Sequence, residues 1–95
     1  MKIRLEIRLV PMLSKVVGKD ELEFECSGET INELIEGLIQ RFGTKARDAL
    51  MNERGEFDTM IQIALNRKIW ITADKLDTPL KEGDTVTFML LIGGG

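Results

Sequence analysis

Thr30-Ile31-Asn32-Glu33-Leu34-Ile35-Glu36-Gly37-Leu38-Ile39-Gln40-Arg41-Phe42-Gly43 is the stretch that decides the fold. Thr30 to Glu33 has the S/T-x-x-E spacing of a capping box, in which the threonine oxygen and the glutamate carboxylate satisfy backbone N–H groups at a helix start. From there Ile31, Leu34, Ile35, Leu38, Ile39 and Phe42 recur three and four apart, so they fall on one stripe of a helix. Gly43 stands where helices commonly end on glycine. Gly37, inside the helix, costs about 1 kcal/mol relative to alanine, which a close approach between helix and sheet would account for. A helix with a single apolar stripe must bury it against another layer.

The residues before the helix supply that layer. Ile3, Leu5, Ile7 and Leu9 alternate with Lys2, Arg4, Glu6 and Arg8, the period of a half-buried strand. Val10-Pro11-Met12 closes it, because proline cannot donate to a ladder. Ser14 to Gly18 reads as a turn or a single helical turn, with Gly18-Lys19-Asp20 as the reversal. Leu22, Phe24 and Cys26 then alternate with Glu21, Glu23 and Glu25, giving a second strand paired with the first as a hairpin. Cys26 falls on the apolar side and reads as a buried structural thiol.

After the helix, Ala46, Ala49 and Leu50 fit a short second helix, and Asn52 to Glu56 an exposed loop. Met60 to Leu65 reads as a strand, Asn66-Arg67-Lys68 as a turn, and Ile69 to Ile71 as the next strand. Leu76 to Leu80 and Lys81 to Asp84 are turn-rich, and Thr85 to Ile92 is the last strand. The order is β-β-α-(α)-β-β-β. If the last strand joins the first in parallel, a right-handed crossover gives a mixed sheet wrapped around one main helix, an α+β fold of the β-grasp kind. The 95 residues make one domain, 1–95, ending in a glycine tail at 93–95.

Composition narrows the chemistry. Thirteen basic and 16 acidic residues leave a net charge of −3, which argues against a nucleic-acid partner. The longest apolar run, Phe88 to Ile92, is far short of a membrane span, and alternation from Ile3 leaves no room for a signal peptide. The single cysteine excludes an internal disulfide and suits a reducing cytoplasm. With no histidine and no tyrosine, a Ser-His or Cys-His nucleophile is ruled out, and zinc would have one thiolate and carboxylates at most. No metal site and no bound cofactor are expected, nor catalysis by this chain alone.

The remaining candidate site is the tail, Phe88-Met89-Leu90-Leu91-Ile92-Gly93-Gly94-Gly95. Three consecutive glycines cannot belong to a stable strand or helix. Extended, they reach roughly 10 Å, and the residues from Leu90 onward roughly 20 Å. Beyond Ile92 no side chain would obstruct a narrow tunnel. Taken alone, these residues fit either a frayed terminus or an arm whose Gly95 carboxylate reacts.

With this order of elements, the chain resembles the ubiquitin-like sulfur carriers, most of all the small subunit of molybdopterin synthase. Ile3 to Asp20, the run Asp77-Thr78-Pro79-Leu80-Lys81-Glu82-Gly83-Asp84 leading into Val86, and the terminal Gly94-Gly95 carry the resemblance. Members of the molybdopterin type usually have Pro-Pro where this chain has Leu90-Leu91, and an aromatic residue at Met89 and at Val10. Gly93 replaces their usual small residue. The resemblance implies that Gly95, with Gly94 beside it, is the reactive end. An E1-like adenylating enzyme would activate its carboxylate with ATP and magnesium, and a sulfur donor would convert it to a thiocarboxylate. Met89, Leu90, Leu91, Ile92 and Gly93 would contact a partner, the large subunit of molybdopterin synthase. A carrier for thiamine thiazole or another pathway, and a ubiquitin-like protein modifier, remain open beside it. So does a β-grasp interaction domain without carboxylate chemistry.

Overall fold

A computed structural model describes residues 1–91 of the chain. Its elements are β1 (Lys2–Leu9), α1 (Pro11–Val17), β2 (Glu21–Glu25), α2 (Ile31–Phe42), α3 (Thr44–Leu50), β3 (Ile61–Leu65), β4 (Ile69–Ile71), a 3₁₀ turn (Ala73–Lys75) and β5 (Thr85–Leu90). One sheet orders the strands β2-β1-β5-β3-β4. β1 pairs parallel with β5 and antiparallel with β2, while β3 pairs antiparallel with both β5 and β4. This is the β-grasp arrangement, with the last strand in the middle of the sheet beside the first.

α2 begins and ends as its sequence requires. Thr30 is extended (φ −126°, ψ 165°), and its Oγ1 accepts the Glu33 N–H at 3.2 Å. The Glu33 carboxylate accepts from the Glu29 N–H at 3.0 Å, one residue earlier than in the usual box. That Glu29 donor first, and then the Thr30 hydroxyl donating to the same carboxylate at 3.2 Å, hold the Glu33 carboxyl below its ordinary pKa. Two further N–H groups of the first turn, on Ile31 and Asn32, donate to the Thr78 and Leu76 carbonyls at 3.1 and 2.8 Å. The Leu76–Thr78 segment therefore acts as an external cap for α2.

The core lies between α2 and the sheet. Ile31, Leu34, Ile35 and Leu38 are buried against Ile3, Leu5, Ile7, Phe24, Ile63, Val86 and Phe88. Gly37 is explained by proximity: a Cβ there would sit 3.3 Å from Cε2 of Phe24. Phe42, expected in the core, is only partly buried. It packs against the core margin, where the Arg41 guanidinium lies 5.4 Å from its ring and 5.8 Å from that of Phe24. Cys26 is buried, its Sγ directed at the Gly28 carbonyl at 3.7 Å.

Three features depart from the sequence-based expectations. Pro11 does not merely end β1; it occupies the first turn of α1, where its missing N–H costs nothing. α1 then runs to Val17, not for a single turn, and stops at Gly18 (φ 83°), whose N–H donates to the Ser14 carbonyl at 2.7 Å. β1 and β2 are thus antiparallel neighbours joined through a helix, not a tight hairpin. β5 ends at Leu90, with Leu91 already outside the strand and Ile92 outside the described residues.

Leu38→Ala removes a side chain buried between helix and sheet and is expected to lower unfolding free energy by about 2–5 kcal/mol. A denaturant titration followed by circular dichroism measures this.

Candidate functional site

The tail is rooted on β5, and the structure shows how firmly. Phe88 is fully buried, and Leu90 packs against the core opposite Ile61. Met89 lies on the other face of the sheet, beside Gln62 of β3 and Leu9 of β1. Leu91 has left the strand but still donates its N–H to the Met60 carbonyl at 2.6 Å, with 44% of its surface exposed. Of the expected partner-contacting residues, Met89 and Leu90 are therefore partly covered on opposite faces, and Leu91 is open. Ile92, Gly93, Gly94 and Gly95 lie outside the described residues.

Leu9 was expected on the inner face with Ile3, Leu5 and Ile7. It is 53% exposed on the outer face instead. Between Glu6 and Leu9 the β1–β5 register shifts, with Glu6 opposite Thr87 and Leu9 opposite Met89. One extra residue on β1 forms a bulge, and a one-residue slip sends the following side chain to the other face. Val10 takes the inward place and is buried. The result is an outer apolar patch at the end of the sheet where the tail leaves, made of Leu9, Met89 and Leu91, with Trp70 of β4, 59% exposed, further along the same face.

Polar contacts brace this face in two places. Glu6 accepts two bonds from Arg67, through Nε at 3.1 Å and through Nη2, and one from Thr87 Oγ1 at 2.6 Å. The Arg67 hydrogen bond, followed by that of Thr87, lowers the Glu6 carboxyl from 4.5 to about 2. Arg67 borders two depressions, of about 430 and 250 Å³, that also share Glu6 and Thr87. Asn66 and Arg67 both have positive φ, 53° and 58°, which the bonds made by their side chains help hold. Near the start of β5, buried Asp84 accepts from the Lys81 N–H at 2.8 Å and from Asn66 Nδ2 at 3.1 Å. Asn66 Oδ1 in turn accepts from the Thr85 N–H at 2.8 Å. The Gly83-Asp84 motif is thus a structural clamp on the strand that carries the tail.

Sequence reading located the tail but missed the patch and its braces. Neither Leu9 nor Arg67 carries a local signal, since the bulge and the Glu6 pair are long-range. Among the described residues no group of three or more histidine, cysteine, aspartate or glutamate side chains is placed to hold a metal ion. Nor is any described helix long and apolar enough to cross a membrane.

A strand at the centre of a β-grasp sheet, leading into a glycine tail, defines the class as a ubiquitin-like protein. Comparison with known proteins then places it more closely. The sequence profile of the ThiS family matches residues 7–95, and the chain belongs to that family. A protein of Archaeoglobus fulgidus named "Putative sulfur carrier protein" is 29% identical over 79 residues, covering 83% of this chain and 89% of that one. The crystal structure of SAMP1, small archaeal modifier protein 1, from Haloferax volcanii superposes with a TM-score of 0.78 over 100% of both chains at 16% identity. A Pyrococcus furiosus protein named "Putative molybdopterin converting factor, subunit 1" gives a TM-score of 0.69 at 25% identity, covering 97% of this chain and 99% of that one. The recognition of a ubiquitin-like sulfur-carrier family therefore holds, and so does the β-grasp fold.

Two outcomes test this geometry. Leu90→Asp places a carboxylate against the core and should cost about 2 kcal/mol or more, whereas Leu91→Asp, one residue on, should stay within about 0.5 kcal/mol of wild type. Thermal unfolding of the two variants distinguishes them. For Glu6, whose folded pKa lies below its unfolded value, the stabilisation is complete above pH 4.5 and is lost as pH falls towards about 2. Glu6→Gln should therefore be less stable than wild type at neutral pH, with the difference closing across that window. Denaturant midpoints measured against pH report it.

Proposed function

We propose that this protein is a sulfur carrier whose reactive group is the carboxylate of Gly95. An E1-like adenylating enzyme uses ATP and magnesium: a carboxylate oxygen attacks the α-phosphorus and pyrophosphate leaves. A sulfur nucleophile then attacks the acyl carbon and AMP leaves, so that one oxygen is replaced by sulfur. In a partner's active site the thiocarboxylate sulfur attacks the acceptor, and water then cleaves its bond to the acyl carbon, leaving sulfur on the acceptor and restoring the Gly95 carboxylate. The recipient we favour is the large subunit of molybdopterin synthase, with molybdopterin formation as the pathway.

The observation that carries this reading is the ThiS family match running through to residue 95 and including Gly93-Gly94-Gly95. The geometry supports it. Glycines at 94 and 95 leave the acyl carbon without a neighbouring Cβ, while β5 sits at the middle of the sheet and is braced on both sides. The patch of Leu9, Met89 and Leu91 lies at the base of the tail, where an enzyme engaging the carboxylate would rest. Exposed apolar patches of this kind mark contact surfaces. The likeness to SAMP1 favours one second reading, in which the activated Gly95 forms an isopeptide bond with a lysine.

Adding one residue after Gly95 should abolish sulfur gain while stability stays within about 0.5 kcal/mol. Intact-mass spectrometry after incubation with the cognate activating enzyme, ATP, magnesium and a sulfur source is the measurement. A mass increase equal to sulfur replacing oxygen is expected in wild type and absent in the extended variant. Unchanged mass with a competent enzyme overturns the proposal, and a conjugate mass selects the modifier reading.

A further inference from the structure

The outer face of the sheet has two edges of opposite character. On β2, Glu21, Glu23 and Glu25 all point outward and are exposed. At the far edge, the turn after β3 carries Arg67 and Lys68, both bordering the depression that also holds Trp70 and Met89. Glu23 and Lys68 make no ion pair with any other described residue. Between these edges lie the apolar side chains Leu9 and Met89, with Trp70 on the edge strand β4.

We propose that this face binds a second copy of the chain, in a face-to-face dimer whose two-fold axis runs along β5. The strand order makes that axis special. β5 is the central strand, so rotation about it lays β2 of one copy over β4 of the other, and β1 over β3. Rungs are preserved under this rotation. Glu23 pairs with Arg4, which pairs with Thr85, and Thr85 meets Asn66 at the other side. Glu23 of one copy therefore comes over the Asn66–Lys68 turn of its mate, twice in the dimer. One rung further, Glu6 links Glu21 to Thr87, and Thr87 pairs with Ala64, which pairs with Trp70. The Arg4–Glu21 ion pair, 2.6 Å long, then faces the Trp70 ring, a favourable place for a guanidinium. Met89 meets its own symmetry mate near the axis, with Leu9 beside it. The other in-plane axis, across the strands, would set one row of glutamates against the other and is disfavoured by charge.

Five strands spaced about 4.8 Å apart give a face roughly 20–25 Å wide. With strands of up to about 20 Å the face covers roughly 400–500 Å², below the about 800 Å² per partner of a standard interface, so the dimer is weak and reversible. Both β5 strands end on the same side of the dimer, and each copy covers the other's Leu9 and Met89. Resting on the proposed function, this makes the dimer a reserve form that an activating enzyme must compete with for the same patch.

Sedimentation velocity of the full chain, from micromolar to millimolar concentration at low and high salt, tests the dimer. Concentration-dependent dimerisation that weakens with salt is expected. Glu23→Lys and Lys68→Glu should each raise the dissociation constant about tenfold, and the double exchange E23K/K68E should restore it. A wild type that stays monomeric throughout, or an association untouched by the single exchanges, overturns the proposal. A chain that dimerises in this way but never gains sulfur supports the dimer and overturns the carrier reading alone.

Discussion

Two strands that run the same way in one sheet cannot be joined by a tight turn; the chain must cross from one end of the sheet to the other. The parallel pairing of β1 with β5 imposes that condition here, and much else follows from it. The crossover passes through α2, whose apolar stripe closes one face of the sheet. It also leaves the last strand at the centre, flanked by β1 and β3. A strand at an edge frays; one with a ladder on each side does not. The segment leading to Gly95 thus begins from one of the best-held strands of the molecule.

Holding that strand takes more than backbone pairing. At its start Asp84, buried, ties the Lys81 N–H to the Asn66 amide, and Asn66 ties back to Thr85. Halfway along, Glu6 joins Thr87 to Arg67 across three strands. A carboxylate drawn out of water without donors would be expensive; Asp84 is buried and Glu6 half-buried, and both are supplied with them. Each also engages the β3–β4 turn, where two consecutive non-glycine residues have positive φ. Such backbone persists where surrounding contacts over-determine it, and the side-chain bonds of Asn66 and Arg67 do so here. The turn and the strand stabilise each other.

Most of this architecture could be read from local pattern. The capping box, the stripe from Ile31 to Leu38 and the alternation of Ile3, Leu5 and Ile7 all depend on neighbours within a few residues. So did the suggestion that Gly37 admits a close approach, which the Phe24 ring makes. What could not be read was non-local. Leu9 looked like the next member of an inner row, because alternation carries no sign of a bulge created by pairing with a strand some eighty residues away. Pro11 announced an end to β1 but not that it would start a helix, since proline suits both. Phe42 had the right spacing for the core, but the helix ends there and its ring reaches only the margin. At the site, the tail was legible in composition, whereas the Glu6–Arg67–Thr87 brace joins residues from three separate parts of the chain.

The departure at Leu90-Leu91 from the Pro-Pro usual in the molybdopterin type now has a structural meaning. Leu91 gives its N–H to the Met60 carbonyl at 2.6 Å, a bond that proline, lacking the hydrogen, cannot make. With leucine there, backbone bonding to the residue before β3 continues one step past the end of β5. Residues 92–95 then span at most roughly 14 Å. On the proposed function, a partner would have to bring its reactive centre within that distance of Leu91, over a surface that presents Leu9 and Met89 where the bulge and the central strand have put them. Reach and patch are coupled, because the same strand, β5, sets both.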